Sequence, residues 1–146
     1  MGSRTKARAR VLQVLYAWDV RGGLESLRQV DAELTRPGAR PLKPEVRSYT
    51  DRLLAVIADN RREIDGRIEG LAENWRLSRM TVVDRNILRL AAAEMLHLPE
   101  IPLRVSLQEA ILLAEWFGTD ESRRFVNGVL DALLRELQPE QVSDSR

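Results

Sequence analysis

The apolar spacing of this 146-residue chain predicts an all-α fold, with six or seven helices in two small packed helical lobes. Apolar residues recur at three- and four-residue intervals along nearly the whole length, and no period-2 strand is found. Proline and glycine interrupt that pattern at distances suited to ordinary helices, and capping residues precede several of the apolar runs.

The first helix spans about 4–20. Ser3 is its candidate N-cap, Ala9, Leu12, Leu15 and Tyr16 follow helical spacing, and Gly22-Gly23 ends it. The second, about 24–35, carries Leu24, Leu27, Val30 and Leu34. Pro37, Pro41 and Pro44 make the next segment a loop, and Pro44 suits the first position of a helix. The third helix, about 45–72, lines up Val46, Tyr49, Leu53, Val56, Ile57, Ile64, Ile68 and Leu71, with Gly66 and Gly70 weakening its end. Asn74-Trp75-Arg76-Leu77 reads as a short connector. Thr81 and Asp84 resemble a capping box opening the fourth helix, about 82–98, which Pro99 and Pro102 stop. Its residues Ile87, Leu88, Leu90, Ala91, Met95 and Leu98 cover more than one face, so it is central. Ser106 and Glu109 form a full capping box for the fifth helix, about 107–117, with Gly118 as its C′ residue. Thr119 or Asp120 caps the sixth, about 121–137, and Pro139 closes it. Residues 1–137 are thus one domain with lobes at about 4–72 and 73–137, and 138–146 form a flexible polar tail.

Composition removes most enzyme classes. The length supports one buried core but not an added catalytic domain of ordinary size. Hydrophobic residues at 44% and charged residues at 31% describe a soluble globular chain, and no apolar run approaches the ~18 residues of a membrane span. The basic start lacks the apolar segment of a secretory signal, so a cytoplasmic location is expected. Absence of cysteine removes disulfides, thiolate metal sites and cysteine nucleophiles. The single histidine, His97, sits in the last turn of a helix, where its charged form suits the dipole. Glu94, Glu109 and Glu115 read as ion-pair partners of arginines. No phosphate-binding loop, dinucleotide fingerprint or nucleophile elbow occurs. The expectation is a protein without catalytic residues, metal or cofactor.

The net charge of +1 hides an asymmetry: Arg4, Lys6, Arg8 and Arg10 all precede the first carboxylate, Asp19. Helical spacing pairs Arg4 with Arg8 and Lys6 with Arg10, and distributes all four around the non-core side of the first helix. Cations at a helix N-terminus oppose its dipole. Either a phosphate partner or a solvated terminus accounts for them. Tyr16 has core spacing with Leu12, whereas Trp18 can face outward as a platform for unstacked bases; the helix core is the alternative for both. A second patch holds Arg123, Arg124 and Phe125, with Phe125 at the edge of the stripe Val126, Val129, Leu130, Leu133 and Leu137. Gly128 inside that helix costs about 1 kcal/mol relative to alanine, which predicts close approach of another helix, with Asn127 bonding across.

These segments resemble the NusB family of transcription antitermination factors. Arg8-Ala9-Arg10 with Leu12-Gln13-Val14-Leu15-Tyr16-Ala17-Trp18-Asp19 is similar to the family's opening. Asn74-Trp75-Arg76-Leu77 and Val83-Asp84-Arg85-Asn86-Ile87-Leu88-Arg89-Leu90 are similar to its middle. Glu109-Ala110, Leu113-Ala114, Phe117-Gly118-Thr119 and the specific Phe125-Val126-Asn127-Gly128-Val129-Leu130-Asp131 are similar to its C-terminal signature. The resemblance implies a non-enzymatic factor that binds a single-stranded boxA-type RNA element together with the ribosomal protein NusE. It would help RNA polymerase, through other Nus factors, to read through terminators in ribosomal RNA operons. Carried over by position, Arg4, Lys6, Arg8 and Arg10 form the basic RNA-binding segment, Tyr16 and Phe125 flank the RNA with Arg123 and Arg124, and Asp84 and Glu121 contact or tune partners. Thr5 stands where more arginine-dense members carry another base.

Two other readings compete. An RNA-docking domain of this kind is appended to ribosomal-RNA methyltransferases, but those enzymes need a further α/β domain. A helical adaptor that binds only proteins is compatible with the apolar surface around Leu112, Leu113 and Trp116, as is a homodimer.

Overall fold

The computed structural model describes residues 1–73 and 75–138, which form six α-helices and no strand. In order they are α1 (Ser3–Val20), α2 (Leu27–Leu34), α3 (Pro44–Leu71), α4 (Val82–His97), α5 (Leu103–Phe117) and α6 (Ser122–Leu137), with a single 3-10 turn at Leu77–Arg79. Asn74, Pro139 and the remainder of the tail to Arg146 lie outside the described residues. Among the described residues, no helix is long and apolar enough to cross a membrane.

The centre of the fold is α4, which packs on α1, α3, α5 and α6. Every residue from Asn86 to Met95 is buried, as the apolar coverage of that helix predicts. One continuous core joins it to Leu15, Leu53, Ile64, Leu113 and Leu130, among others. Thr81 caps α4 by accepting a hydrogen bond from the Asp84 amide at 3.1 Å. The capping box is only half made, because buried Asp84 Oδ1 has no partner.

Several boundaries differ from the expected ones. Gly2, not Ser3, holds the cap position of α1. The second helix begins at Leu27, where Ser26 accepts from the Gln29 amide at 3.1 Å, so Leu24 falls in the turn and is 95% exposed. In that turn Gly23 has φ +73° and lies over the Trp18 ring, 3.3 Å from where a Cβ would stand. Both the positive φ and that close approach require glycine. Helix α3 continues through Gly66 and Gly70 but loses helical dihedrals at Asn60. There the side-chain amide donates to the Val56 carbonyl at 2.8 Å. A side chain entering the hydrogen-bond ladder is a recognised cause of a kink.

Helix α5 starts at Leu103, three residues before its apparent capping box at Ser106. Pro102 needs no amide partner and its carbonyl begins the ladder, accepting from Ser106 at 3.2 Å. Ser106 and Glu109 are therefore free to bond to other helices. After α5, Gly118 adopts φ −93° rather than the left-handed conformation expected of a C′ glycine. It is glycine because a Cβ would come within 3 Å of Ser122. Glu121, not Thr119 or Asp120, holds the cap position of α6, and the hydroxyl of Ser122 in its first turn accepts from the Thr119 amide at 2.9 Å.

Candidate nucleic-acid interface

The four N-terminal cations divide into two inward and two outward groups. Helix α1 buries Ala7, Arg8, Val11, Leu12, Val14, Leu15 and Trp18. Arg8 shares that stripe, four residues before Leu12 and seven before Leu15, and is only 2% exposed. This corrects its expected place on the non-core side. Its Nε pairs with Glu94 at 2.7 Å and its Nη1 with Glu109 at 2.7 Å. Thr5 donates to Glu109 at 2.5 Å, Ser106 donates to Glu94 at 2.9 Å, and the Tyr49 hydroxyl also donates to Glu94. The capping-box residues of the sequence are thus spent on an interior network that joins α1, α3, α4 and α5. Burial by itself pulls the Arg8 pKa down, but the charge and hydrogen bond of Glu94, with Tyr49 and Glu109, hold it above its ordinary value. Burial likewise pushes the Tyr49 phenol up, reinforced by Glu94, so it remains a donor.

Arg10 is half-buried. Its Nη2 lies 2.8 Å from Asp31, which also pairs with Arg47 at 2.6 Å. Arg4 and Lys6 remain exposed. The Arg4 guanidinium stands 5.4 Å from the Tyr49 ring centroid, a cation–π contact that orients it at the surface.

Of Tyr16 and Trp18, only Trp18 lies in the core. Tyr16 is 46% exposed, whereas Trp18 is buried. Trp18 extends the stripe Val11, Val14, Leu15, and its indole N–H donates to the Glu25 carbonyl at 2.8 Å. Arg61 and Arg89 cover its ring at 5.4 and 5.3 Å. One turn beyond Tyr16, Asp19 accepts from Arg85 at 2.6 Å, Arg89 at 2.9 Å and Asn86 at 2.9 Å. Arg89 also pairs with Asp65 at 2.8 Å. No local pattern in the sequence announced this second network, which ties the end of α1 to the start of α4.

On α6, Phe125 is half-buried and Arg123 and Arg124 are exposed; Arg123 lies 3.3 Å from Glu115. The Phe125 ring meets Trp75 edge-on, with centroids 6.4 Å apart and planes at 73°. Trp75 and Arg76, read above only as a connector, therefore belong to this face. Their one sequence signal was an aromatic and a cation side by side outside any apolar stripe. Gly128 and Asn127 are exposed, and nothing lies within 4 Å of a Cβ built on Gly128. The close packing expected there is absent, because this side of α6 turns to solvent. Gly128→Ala should consequently stabilise the protein by about 0.5–1 kcal/mol, read as a higher urea midpoint; a lower midpoint would contradict the open space.

The remaining expectations have definite positions. Asp84 is buried in the first turn of α4, and Glu121 is exposed just before α6. His97 Nε2 lies 2.5 Å from Glu63, in an ion pair when protonated. Trp116 and Phe117 are both exposed at the end of α5, with ring centroids 6.3 Å apart, while Leu113 is buried. Among the described residues, no three His, Cys, Asp or Glu side chains converge as a metal site.

Residues 5–135 match the model of the NusB family. The transcription antitermination protein NusB of Sorangium cellulosum is 42% identical over 137 residues, covering 94% of this chain and 95% of that protein. NusB of T. maritima superimposes with a TM-score of 0.79 at 36% identity, covering 91% of each chain. A crystal structure of the antitermination factors NusB and NusE in complex with dsRNA gives a TM-score of 0.81 at 28% identity, covering 93% of this chain and 98% of the other.

Proposed function

Because this chain belongs to the NusB family, we propose that it binds a single-stranded boxA-type RNA with the ribosomal protein NusE. In this reading it supports readthrough by RNA polymerase in ribosomal RNA operons, through other Nus factors. The observation that carries the reading is the exposed set Arg4, Lys6 and Tyr16 on α1 and Arg124 on α6, with half-buried Phe125 beside Arg124, at positions that resemble the family's RNA surface. Arg4 and Lys6 supply the salt-dependent attraction to phosphates, and Tyr16 and Phe125 offer ring faces to unpaired bases. Arg10 and Arg123 contribute charge already shared with Asp31 and Glu115. Arg8 acts from the interior, fixing the helix that presents its neighbours. Glu121 is the partner-facing acid, and buried Asp84 acts only by placing the start of α4. The domain functions as two lobes, about 4–72 and 73–137, with α4 shared between them. The exposed Trp116–Phe117 pair favours a protein partner as well as RNA, since such rings are enriched at interfaces.

A salt series tests the reading. The protein with NusE should bind a short boxA-like RNA more tightly than a scrambled control. The Arg4→Gln/Lys6→Gln variant should flatten the log–log salt slope by about 1.4, at about 0.7 per phosphate contact on a single strand. Equal binding to neither RNA, with or without NusE, would favour the protein-only adaptor.

A further inference from the structure

We propose that the connector after α3 is a single-nucleotide subsite, in which an unpaired RNA base stacks on Trp75 while Arg76 pairs with the adjoining phosphate. The inference rests on the RNA-binding reading above and adds residues to it.

Three observations converge on this connector. Trp75 is 52% exposed, yet its ring is held by a T-shaped contact with Phe125. A ring fixed by one neighbour and half open to solvent is a stacking platform with little entropy left to lose. Beside it, Arg76 is exposed and makes no ion pair among the described residues. Arg76 lines a cavity of about 440 Å³ with Asp19, Ser78, Arg85 and Arg89. There Arg85 and Arg89 are already matched by Asp19 and Asp65, which leaves the Arg76 guanidinium as the donor available to a phosphate. Glu69 also lines that cavity and accepts from the Leu77 amide at 3.3 Å, which ties the connector to the end of α3. Finally, Glu73 holds φ +53° just before the connector. The left-handed region is disfavoured for a non-glycine residue, and such strain concentrates at functional turns.

The position completes a track. Asp19 lines the cavity and lies one helical turn after exposed Tyr16, while Trp75 touches Phe125. The connector therefore joins half-buried Phe125 on α6 to the cavity at the end of α1.

The test uses the full chain with NusE and a single-stranded RNA of about twelve nucleotides containing all four bases. Trp75→Leu should weaken binding about tenfold or more with an unchanged salt slope, and Trp75→Phe should retain most of the affinity. Arg76→Gln, which leaves the Phe125 contact untouched, should flatten the slope by about 0.7. Parent-like affinity for Trp75→Leu and a parent-like slope for Arg76→Gln, while Arg4→Gln/Lys6→Gln still weakens binding, would overturn the subsite. Failure of the parent itself to bind the RNA would remove the RNA-binding reading, and the subsite with it.

Discussion

Replacing Arg8 with methionine is expected to destabilise the protein by about 3–5 kcal/mol, the usual consequence of breaking a buried ion pair. Methionine fills much of the arginine's volume, so the loss reflects charge rather than a cavity. Glu94 would keep the hydroxyls of Tyr49 and Ser106 but lose the only guanidinium that enters its pocket in the described structure. Against a total stability of about 5–15 kcal/mol, that loss moves the thermal midpoint by roughly 10 °C. The double variant Arg8→Met/Glu94→Met should recover a large part of the deficit, because an apolar pair of similar volume often matches a buried ion pair. Urea denaturation of the two variants decides the matter. A single variant with the parent's midpoint would mean that Arg8 is a surface phosphate ligand after all.

The second large effect is expected at Asp19. Burial alone would raise its pKa, but hydrogen bonds from Arg85 and Asn86, with the charges of Arg85 and Arg89, outweigh burial and hold it below the ordinary 3.8. On acidification the unfolded chain takes up this proton first. The stabilisation is therefore complete above about pH 4 and is lost as the pH falls through the folded value. Asp19→Asn should cost on the order of 3 kcal/mol near neutral pH, since it leaves Arg85 and Arg89 without their shared carboxylate. The gap between parent and variant should shrink below about pH 4. Denaturation midpoints measured from neutral to acidic pH test both points, and a gap independent of pH would refute the electrostatic origin.

What could be read from sequence followed from local rules. The prolines and apolar spacing place five of the six helices within a few residues, and the all-round apolar surface of α4 identifies the central element before any packing is known. The inward turn of Arg8 was half-visible, since it stands at core spacing from Leu12 and Leu15. Its partners are 86 and 101 residues away, and no local window contains them. The same distance hid the function of Ser106 and Glu109, whose capping pattern is genuine in sequence but outcompeted by the Pro102 start. Spacing leaves both a core and an outward position open to Tyr16 and Trp18; the Glu25 carbonyl that satisfies the Trp18 N–H settles the core position on Trp18. Trp75 escaped notice because a short connector has no periodicity by which to judge which way a ring points.

The reach of the Arg8 network also has a consequence for how the protein is made. Of the six helices α1 is made before the others, but its anchors on α4 and α5 are translated last among the network's members. At about 5–20 residues per second, several seconds separate the synthesis of Arg8 from that of Glu109. Arg10 can reach Asp31 on α2 early in that interval, but Arg8 has no carboxylate partner until α4 and α5 arrive. The inward turn of Arg8 is therefore established only when the second half of the chain is made.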